Sequence, residues 1–184
     1  MEVDGIDPEC LVFVDEMGTP TSVVPLYAYA PVGQRAFFLE VPRNRGKNTT
    51  LLTSLRSGGM GPSMAVEGAT TSRVFETYVK RLPAPALRPG RVVVMDNLGA
   101  HRPKRIRELI ERRGRELTYL PPYSPDFNPI EEAVSKTKHL LRKAGARTKE
   151  ALIEAMGRAS ATVSVQDAKG FFVNCGYRAP AQQL

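Results

Sequence analysis

The sequence predicts an α/β fold: a mixed five-stranded sheet, three antiparallel strands followed by parallel ones, flanked by helices. Three observations carry that expectation. The run Val92-Val93-Val94-Met95 is continuously apolar, is bounded by Gly90 before and by Asn97 and Gly99 after, and so has the pattern of a strand buried on both faces. Leu11-Val12-Phe13-Val14 is a second such run, and both stop on acid, at Asp96 and at Asp15-Glu16. From residue 72 onward helical stripes alternate with strand-like runs, the order that yields parallel pairing through crossover helices.

Taken in order, the strand ending at Asp15 is followed by apolar segments at residues 23–30 and 36–41, separated by the turn composition Pro31-Val32-Gly33-Gln34. They read as a meander continuing from the first strand. Arg43-Asn44-Arg45-Gly46-Lys47-Asn48 is a basic loop that either holds a phosphate or is simply solvated. Residues 49–67 carry mixed signals: Leu51, Leu52 and Leu55 fit a helical turn or a strand, Gly58-Gly59 is a turn, and Ser63 to Val66 suits a strand. Ser72 opens a helix with Val74, Tyr78, Val79 and Leu82 on one face, ended by Pro83 and Pro85.

After the central strand, Pro103 suits the first position of a helix whose stripe is Ile106, Leu109 and Ile110 and whose other face is basic; Gly114 closes it. Leu117 to Leu120 is a further strand. A stiff connection, Pro121-Pro122-Tyr123-Ser124-Pro125-Asp126-Phe127, leads to Asn128-Pro129-Ile130-Glu131, which reads as N-cap, first-turn proline and an acid at the third position. The helix that follows carries Ile130, Ala133, Val134, Thr137, Leu140 and Leu141 as a buried stripe, with Glu131, Ser135, Lys138 and Arg142 along its rim and Glu132 further out. A helix from Lys149 with Leu152, Ile153 and Met156 inward, and a tail with Phe171, Phe172 and Tyr177, complete the chain.

At 184 residues, with 42% hydrophobic and 24% charged residues, this is a soluble globular chain of one domain, a core at about 10–145 and a helical extension at about 146–184. No apolar run is long enough for a bilayer, and Met1-Glu2-Val3-Asp4 lacks the regions of a signal peptide, which places the protein in the cytoplasm. Cys10 and Cys175 stand apart, so neither a zinc site nor a disulfide framework is implied, and both read as core residues. The net charge of +7 points to a polyanionic partner, nucleic acid being the commonest. Lys104, Arg105, Arg107, Arg112, Arg113 and Arg115 form one basic cluster; Lys136, Lys138, Arg142, Lys143, Arg147 and Lys149 form another.

The topology lets the strands ending at Asp15 and Asp96 lie side by side, with Glu131 delivered from a later helix. Like charges at about 4 Å repel by roughly 4 kcal/mol at an effective dielectric near 20, so converging carboxylates are either protonated or interleaved with cations. Hard divalent ions such as Mg²⁺ take oxygen ligands and substrate phosphates, and a pair of them activates a nucleophile and stabilises the leaving oxygen at phosphorus. Capping and surface roles account for each acid separately: Asp96 by capping the next helix, Glu131 by folding back on Asn128.

The segments Val14-Asp15-Glu16, Asp96-Asn97-Leu98-Gly99-Ala100-His101 and Ser124-Pro125-Asp126-Phe127-Asn128-Pro129-Ile130-Glu131-Glu132 resemble the three signature blocks of the DDE transposases of the mariner superfamily, in particular its bacterial insertion-sequence branch. The blocks stand in the family's order, and the 34 residues between Asp96 and Glu131 match a spacing it favours. The resemblance runs from about Leu11 to Leu141. It implies an RNase H-like fold in which Asp15, Asp96 and Glu131 are the catalytic residues and hold two Mg²⁺ or Mn²⁺ ions, and an activity of metal-dependent strand cleavage at transposon ends followed by strand transfer into target DNA. It also implies double-stranded DNA as partner, a homodimer in the reactive complex, and a cytoplasmic, nucleoid-associated bacterial location.

Around the acids, the resemblance gives Asn97 an orienting or substrate-contacting role and His101 either a backbone contact to DNA or a helix-start role. Lys104, Arg105, Asn128, Lys138 and Arg142 are the further DNA-contacting or supporting residues. Glu132 is the rival to Glu131, and Glu16 the rival to Asp15; spacing, rim position and direct succession to the strand favour Glu131 and Asp15. Relatives carry a helix-turn-helix region ahead of this domain. Only 14 residues precede Asp15, so end recognition is expected to be absent or supplied by a separate helix-turn-helix polypeptide. A non-catalytic DNA-binding remnant and an RNase H-like nuclease are the alternative readings.

Overall fold

The computed structural model describes residues 5–25, 27–36, 48–81, 87–97, 104–112 and 114–178. Six strands form one sheet: β1 (Leu11–Thr19), β2 (Thr49–Arg56), β3 (Gly59–Met60), β4 (Met64–Glu67), β5 (Val92–Met95) and β6 (Glu116–Tyr119). The order is β3-β2-β1-β5-β6, with β4 also paired to β2. Strand β2 runs antiparallel to β1, β3 and β4, whereas β1, β5 and β6 are parallel. Counting β3 and β4 as one interrupted edge strand, this is the mixed five-stranded arrangement that the element order predicts.

The interruption has a local cause. Register with β2 shifts by one between Leu55↔Met60 and Leu52↔Met64, which makes Gly61-Pro62-Ser63 a bulge. Proline cannot donate to the ladder there, and a Cβ on Gly61 would stand 2.2 Å from Ser54 Oγ. The Tyr78 hydroxyl donates to the Pro62 carbonyl at 3.0 Å and pins the bulge to the helix beneath.

Side chains alternate across β1 and sort the core into two layers. Val12 and Val14, with Val93 and Met95 of β5, face α1 (Ser72–Arg81) and α2 (Lys104–Glu111), which contribute Phe75, Tyr78, Val79, Ile106 and Ile110. Leu11, Phe13 and Met17, with Val92 and Val94, face α3 (Pro129–Ala144), α4 (Lys149–Ala161) and α5 (Val165–Asn174). Helix α3 is the central element of that second layer. Its buried Ile130, Ala133, Val134, Thr137 and Leu141 follow the predicted stripe, and each large aliphatic among them contributes roughly 1.5–3 kcal/mol by burial. Gly145, at φ 59°, ends it by donating its N–H to the Leu141 carbonyl.

The predicted meander is corrected. The described part of residues 23–30 holds no strand, residues 37–41 lie outside the described residues, and the antiparallel partner of β1 is β2. Pro20, Pro25 and Pro31 withhold ladder donors from this excursion; Tyr27, Tyr29 and Val32 point into solvent, and Arg147 Nη1 holds its start through the carbonyls of Thr21 and Val23. Ile153 is exposed rather than inward, its place in the core taken by Ala155 and Ala159. The tail forms α5, opened by a capping box between Ser164 and Asp167. Cys10 and Cys175 are only partly buried, Cys175 against the edge of the second layer. Among the described residues no helix is long and apolar enough to cross a membrane.

Candidate active site

Parallel pairing of β1 with β5 sets the site. Val14 is opposite Met95, so the next residues, Asp15 and Asp96, stand side by side where the β1–β5 ladder ends; Asp96 follows the carboxyl end of β5, whereas β1 does not stop at its acid as expected but runs on through Asp15 to Thr19, held there by β2. Alternation gives both the face that carries α3, since Asp15 follows the parity of Phe13 and Met17, and Asp96 that of Val92 and Val94. Glu16 has the opposite parity and belongs to the α1 and α2 side, where its Oε2 is buried without a hydrogen-bond partner among the described residues. Of the two adjacent acids, only Asp15 shares a face with α3.

Asp15 is buried, at 5% exposure, yet well satisfied: it accepts from the Glu16 backbone N–H at 2.7 Å and from Asn128 Nδ2 at 3.0 Å. Asn128 is the N-cap residue of α3 by position, but its side chain makes no cap bond, because it is spent on Asp15. Its backbone N–H goes to the Pro125 carbonyl at 2.9 Å. The capping box expected between Asn128 and Glu131 is therefore not formed, and Glu131 stands exposed on the first turn of α3.

A cleft of about 480 Å³ opens between these elements, lined by Asp96, Asn97, Leu120, Pro121, Pro122, Tyr123, Ser124, Pro125, Asn128 and Glu131. Glu131 also borders an adjoining groove with Asp126, Glu132 and Cys175. There burial, helped by the charges of Glu132 and Asp126, pushes the Cys175 thiol up to about 11. The Glu132 carboxylate is engaged by Asn174 Nδ2 at 3.3 Å.

The structure thus brings Asp96, Asn97, Asn128 and Glu131 to one cleft, with Asp15 directly behind Asn128. His101 lies outside the described residues, as do Arg43, Arg45, Lys47 and Arg113. Lys104 is exposed at the start of α2, and Lys138 and Arg142 are half-buried on α3; none of the three lines the cleft. Arg105 is ion-paired to Glu76 of α1 at 2.6 Å and borders a separate groove with Arg73, Lys80 and Arg81. Several cations counted toward a polyanionic partner are likewise tied within the fold: Arg107 to Glu111, Lys136 to Asp167 and Lys149 to Glu67.

Two contributions escaped the sequence reading. Tyr123 has φ 56°, and Tyr177 donates its hydroxyl to the Phe127 carbonyl at 2.7 Å while its ring packs 5.1 Å from Phe13. The second contact ties the proline-rich connection to the core beneath Asp15. Its only signal was an aromatic tail of unassigned role.

Among the described residues no three His, Cys, Asp or Glu side chains are gathered closely enough to enclose a metal ion. The donor chemistry nonetheless suits a hard divalent cation, since the acids offer oxygen alone and one or two carboxylates suffice where phosphate oxygens complete the shell.

A mixed sheet in this order, with helices on both faces and an acid on each side of the point where two parallel strands part, is the RNase H-like fold. Residues 10–153 match the DDE superfamily endonuclease family, and the chain belongs to it. Solved structures of the Mos1 mariner transposase share the fold. Its paired-end complex with the left transposon end superposes with a TM-score of 0.72 at 18% identity, over 95% of this chain and 54% of that one. Its strand transfer complex gives 0.71 at 19%, over 91% and 52%, and its catalytic domain alone gives 0.65 at 14%, over 95% and 80%. The chain spans about half the length of the Mos1 chains in those complexes. No curated protein is found to match it.

Proposed function

We propose that this chain is the catalytic domain of a transposase of the mariner superfamily, from its bacterial insertion-sequence branch, which cleaves DNA at transposon ends and joins the freed strand to target DNA. What supports the reading is the in-register pairing of β1 with β5, which aligns Asp15 with Asp96 on the face covered by the helix of Glu131. Membership of the endonuclease family supports phosphodiester chemistry, and Mos1 relatives were crystallised as transposon-end complexes with Mn or Mg.

In this reading Asp15, Asp96 and Glu131 hold Mg²⁺ or Mn²⁺. Bound there, such ions supply a nucleophile activated at neutral pH and charge stabilisation for the leaving oxygen. The protein's own part is positional. Asn128 and the Glu16 N–H fix the Asp15 carboxylate in place by donating to it. Glu131, on the rim, meets solvent and substrate. Asn97 orients Asp96 or meets substrate, Lys104, Lys138 and Arg142 supply contacts to DNA outside the cleft, and His101 contacts the DNA backbone near the metal ions. A homodimer, and a helix-turn-helix module in this or another polypeptide, complete the reactive complex.

The test is nicking of supercoiled plasmid by the purified chain with Mg²⁺, Mn²⁺ or EDTA, beside Asp96→Asn. Cation-dependent nicking lost in the variant is expected; nicking that survives Asp96→Asn would refute the assignment. The net charge of +7 favours one second reading, a DNA-binding remnant without catalysis. It predicts salt-sensitive DNA binding, equal in both proteins, and no nicking.

A further inference from the structure

Tyr123 is the only non-glycine residue with positive φ among the described residues, and its side chain is fully exposed, at 103%. The left-handed conformation costs a non-glycine residue on the order of 1–3 kcal/mol, and such outliers gather at functional sites. Glycine or asparagine would relax this backbone, and a polar side chain would suit solvent better. A large aromatic ring stands there instead, at the mouth of the cleft that holds Asp96, Asn97, Asn128 and Glu131.

The ring is carried on a stiff frame. Pro121 and Pro122 precede it and Pro125 follows; Ser124 Oγ donates to the Pro122 carbonyl at 3.3 Å, and Phe127 N–H to the Ser124 carbonyl at 3.2 Å. Tyr177 anchors the far end through the Phe127 carbonyl. A rigidly presented aromatic loses little entropy when a flat partner covers it.

The occupant follows from the site's size and charge. A cleft of about 480 Å³ is of the size that takes one small molecule, and where the strand whose phosphate enters it is unpaired, the base there needs a new stacking surface. Carboxylates repel the phosphate backbone, and a neutral ring beside them offers a handhold that does not depend on charge. We infer that Tyr123 is a stacking platform for an unpaired nucleobase of the DNA strand whose phosphate enters the cleft. This rests on the DNA-processing reading above and adds to it a positioning residue with no preference for base identity, because every base has a stacking face.

The experiment compares wild type, Tyr123→Phe, Tyr123→Ala and Tyr123→Gly. It uses a single-stranded oligonucleotide carrying 2-aminopurine and the matching blunt duplex, with plasmid nicking run in parallel. Stacking predicts that wild type and Tyr123→Phe quench 2-aminopurine in the single strand. The Ala and Gly variants would lose the quench and bind the single strand roughly five- to 150-fold more weakly, with duplex binding unchanged. Tyr123→Gly would melt no lower than wild type, since glycine accepts φ 56° without strain, so its loss of quenching would not reflect misfolding. Equal quenching and affinity in all four proteins would overturn the stacking role, as would equal weakening of single-strand and duplex binding. Quenching that depends on Tyr123 in a protein that never nicks would refute the catalytic reading and leave the stacking role standing. A wild type that binds neither DNA would overturn both.

Discussion

Asn128 Nδ2 donates to Asp15 Oδ2 at 3.0 Å across 113 residues of chain. The residue that local sequence marks as a helix cap has exchanged that duty for a bond to a buried carboxylate. A hydrogen bond to a charged group contributes about 1.5–3 kcal/mol, more than the ~1 kcal/mol of a typical cap.

Asn128→Ala should therefore lower stability by about 2 kcal/mol, or about 4–8 °C in Tm for a chain of this size. Asn128→Asp should be worse at pH 7 and recover on acidification, as one of two facing carboxyls takes up a proton. Thermal melts followed by circular dichroism at several pH values test both; an unchanged Tm for Asn128→Ala would contradict the bond.

The opposed parity of Asp15 and Glu16 predicts opposite phenotypes. Asp15→Asn abolishes cation-dependent nicking, whereas Glu16→Gln retains it. Glu16→Gln also holds or raises Tm, because it removes a charge whose Oε2 is buried without a hydrogen-bond partner. Loss of nicking in Glu16→Gln with Asp15→Asn still active would reverse the assignment.

Burial, with the nearby charges of Glu132 and Asp126, raises the Cys175 thiol to about 11. Thiolate is the reactive form, so alkylation of Cys175 should be slow at pH 8 and accelerate into the range around pH 11. Glu132→Gln removes one of the raising charges and should shift that rise to lower pH. Iodoacetamide labelling resolved by peptide mass spectrometry gives the profile; a curve unmoved by Glu132→Gln would count against the charge contribution.

Asp167 binds Lys136 of α3 and caps α5, and these bonds lower its carboxyl from 3.8 to about 2. A folded pKa below the unfolded one means stabilisation that is fully present above pH 3.8 and is lost as pH falls toward 2. The Tm difference between wild type and Asp167→Asn should accordingly be constant above about pH 4.5 and shrink below it. A difference that grows with acid would have the wrong sign.

Legibility in the sequence tracked the range of the forces involved. Strand β5 and helix α3 were readable because each has one periodicity over its length; of β1 only Leu11 to Val14 was, because the acids that follow look like a strand end although the strand runs on to Thr19. Strand β2 was ambiguous because Thr49, Thr50, Thr53 and Ser54 look like a surface while being buried; Thr50 Oγ1 reaches the Gly68 carbonyl at 2.6 Å, and Thr53 pairs with Ser63 at 2.7 Å. Such satisfaction comes from outside the strand and leaves no local trace. Residues 23–30 misled in the other direction, since apolar side chains there meet solvent. At the site, the place of Asp96 after β5 and of Glu131 on the first turn of α3 could be read from local pattern, whereas the continuation of β1 past Asp15 could not. The Asn128 bond, the Tyr177 anchor and the backbone of Tyr123 depend on partners far along the chain or on a conformation no composition encodes.

The parallel alignment of β1 with β5 also sets a timetable during synthesis. Leu11 pairs with Val92, so at about 5–20 residues per second the ribosome needs roughly 4–16 s to make the partner after finishing the first strand. Until then one edge of Leu11-Val12-Phe13-Val14 has no neighbour, an invitation to aggregation that a chaperone would have to shield. The same order governs the cleft: Asp96 and Glu131 are made only after Asp15, and Glu131 only after the last strand, so the cleft they line is completed after the sheet.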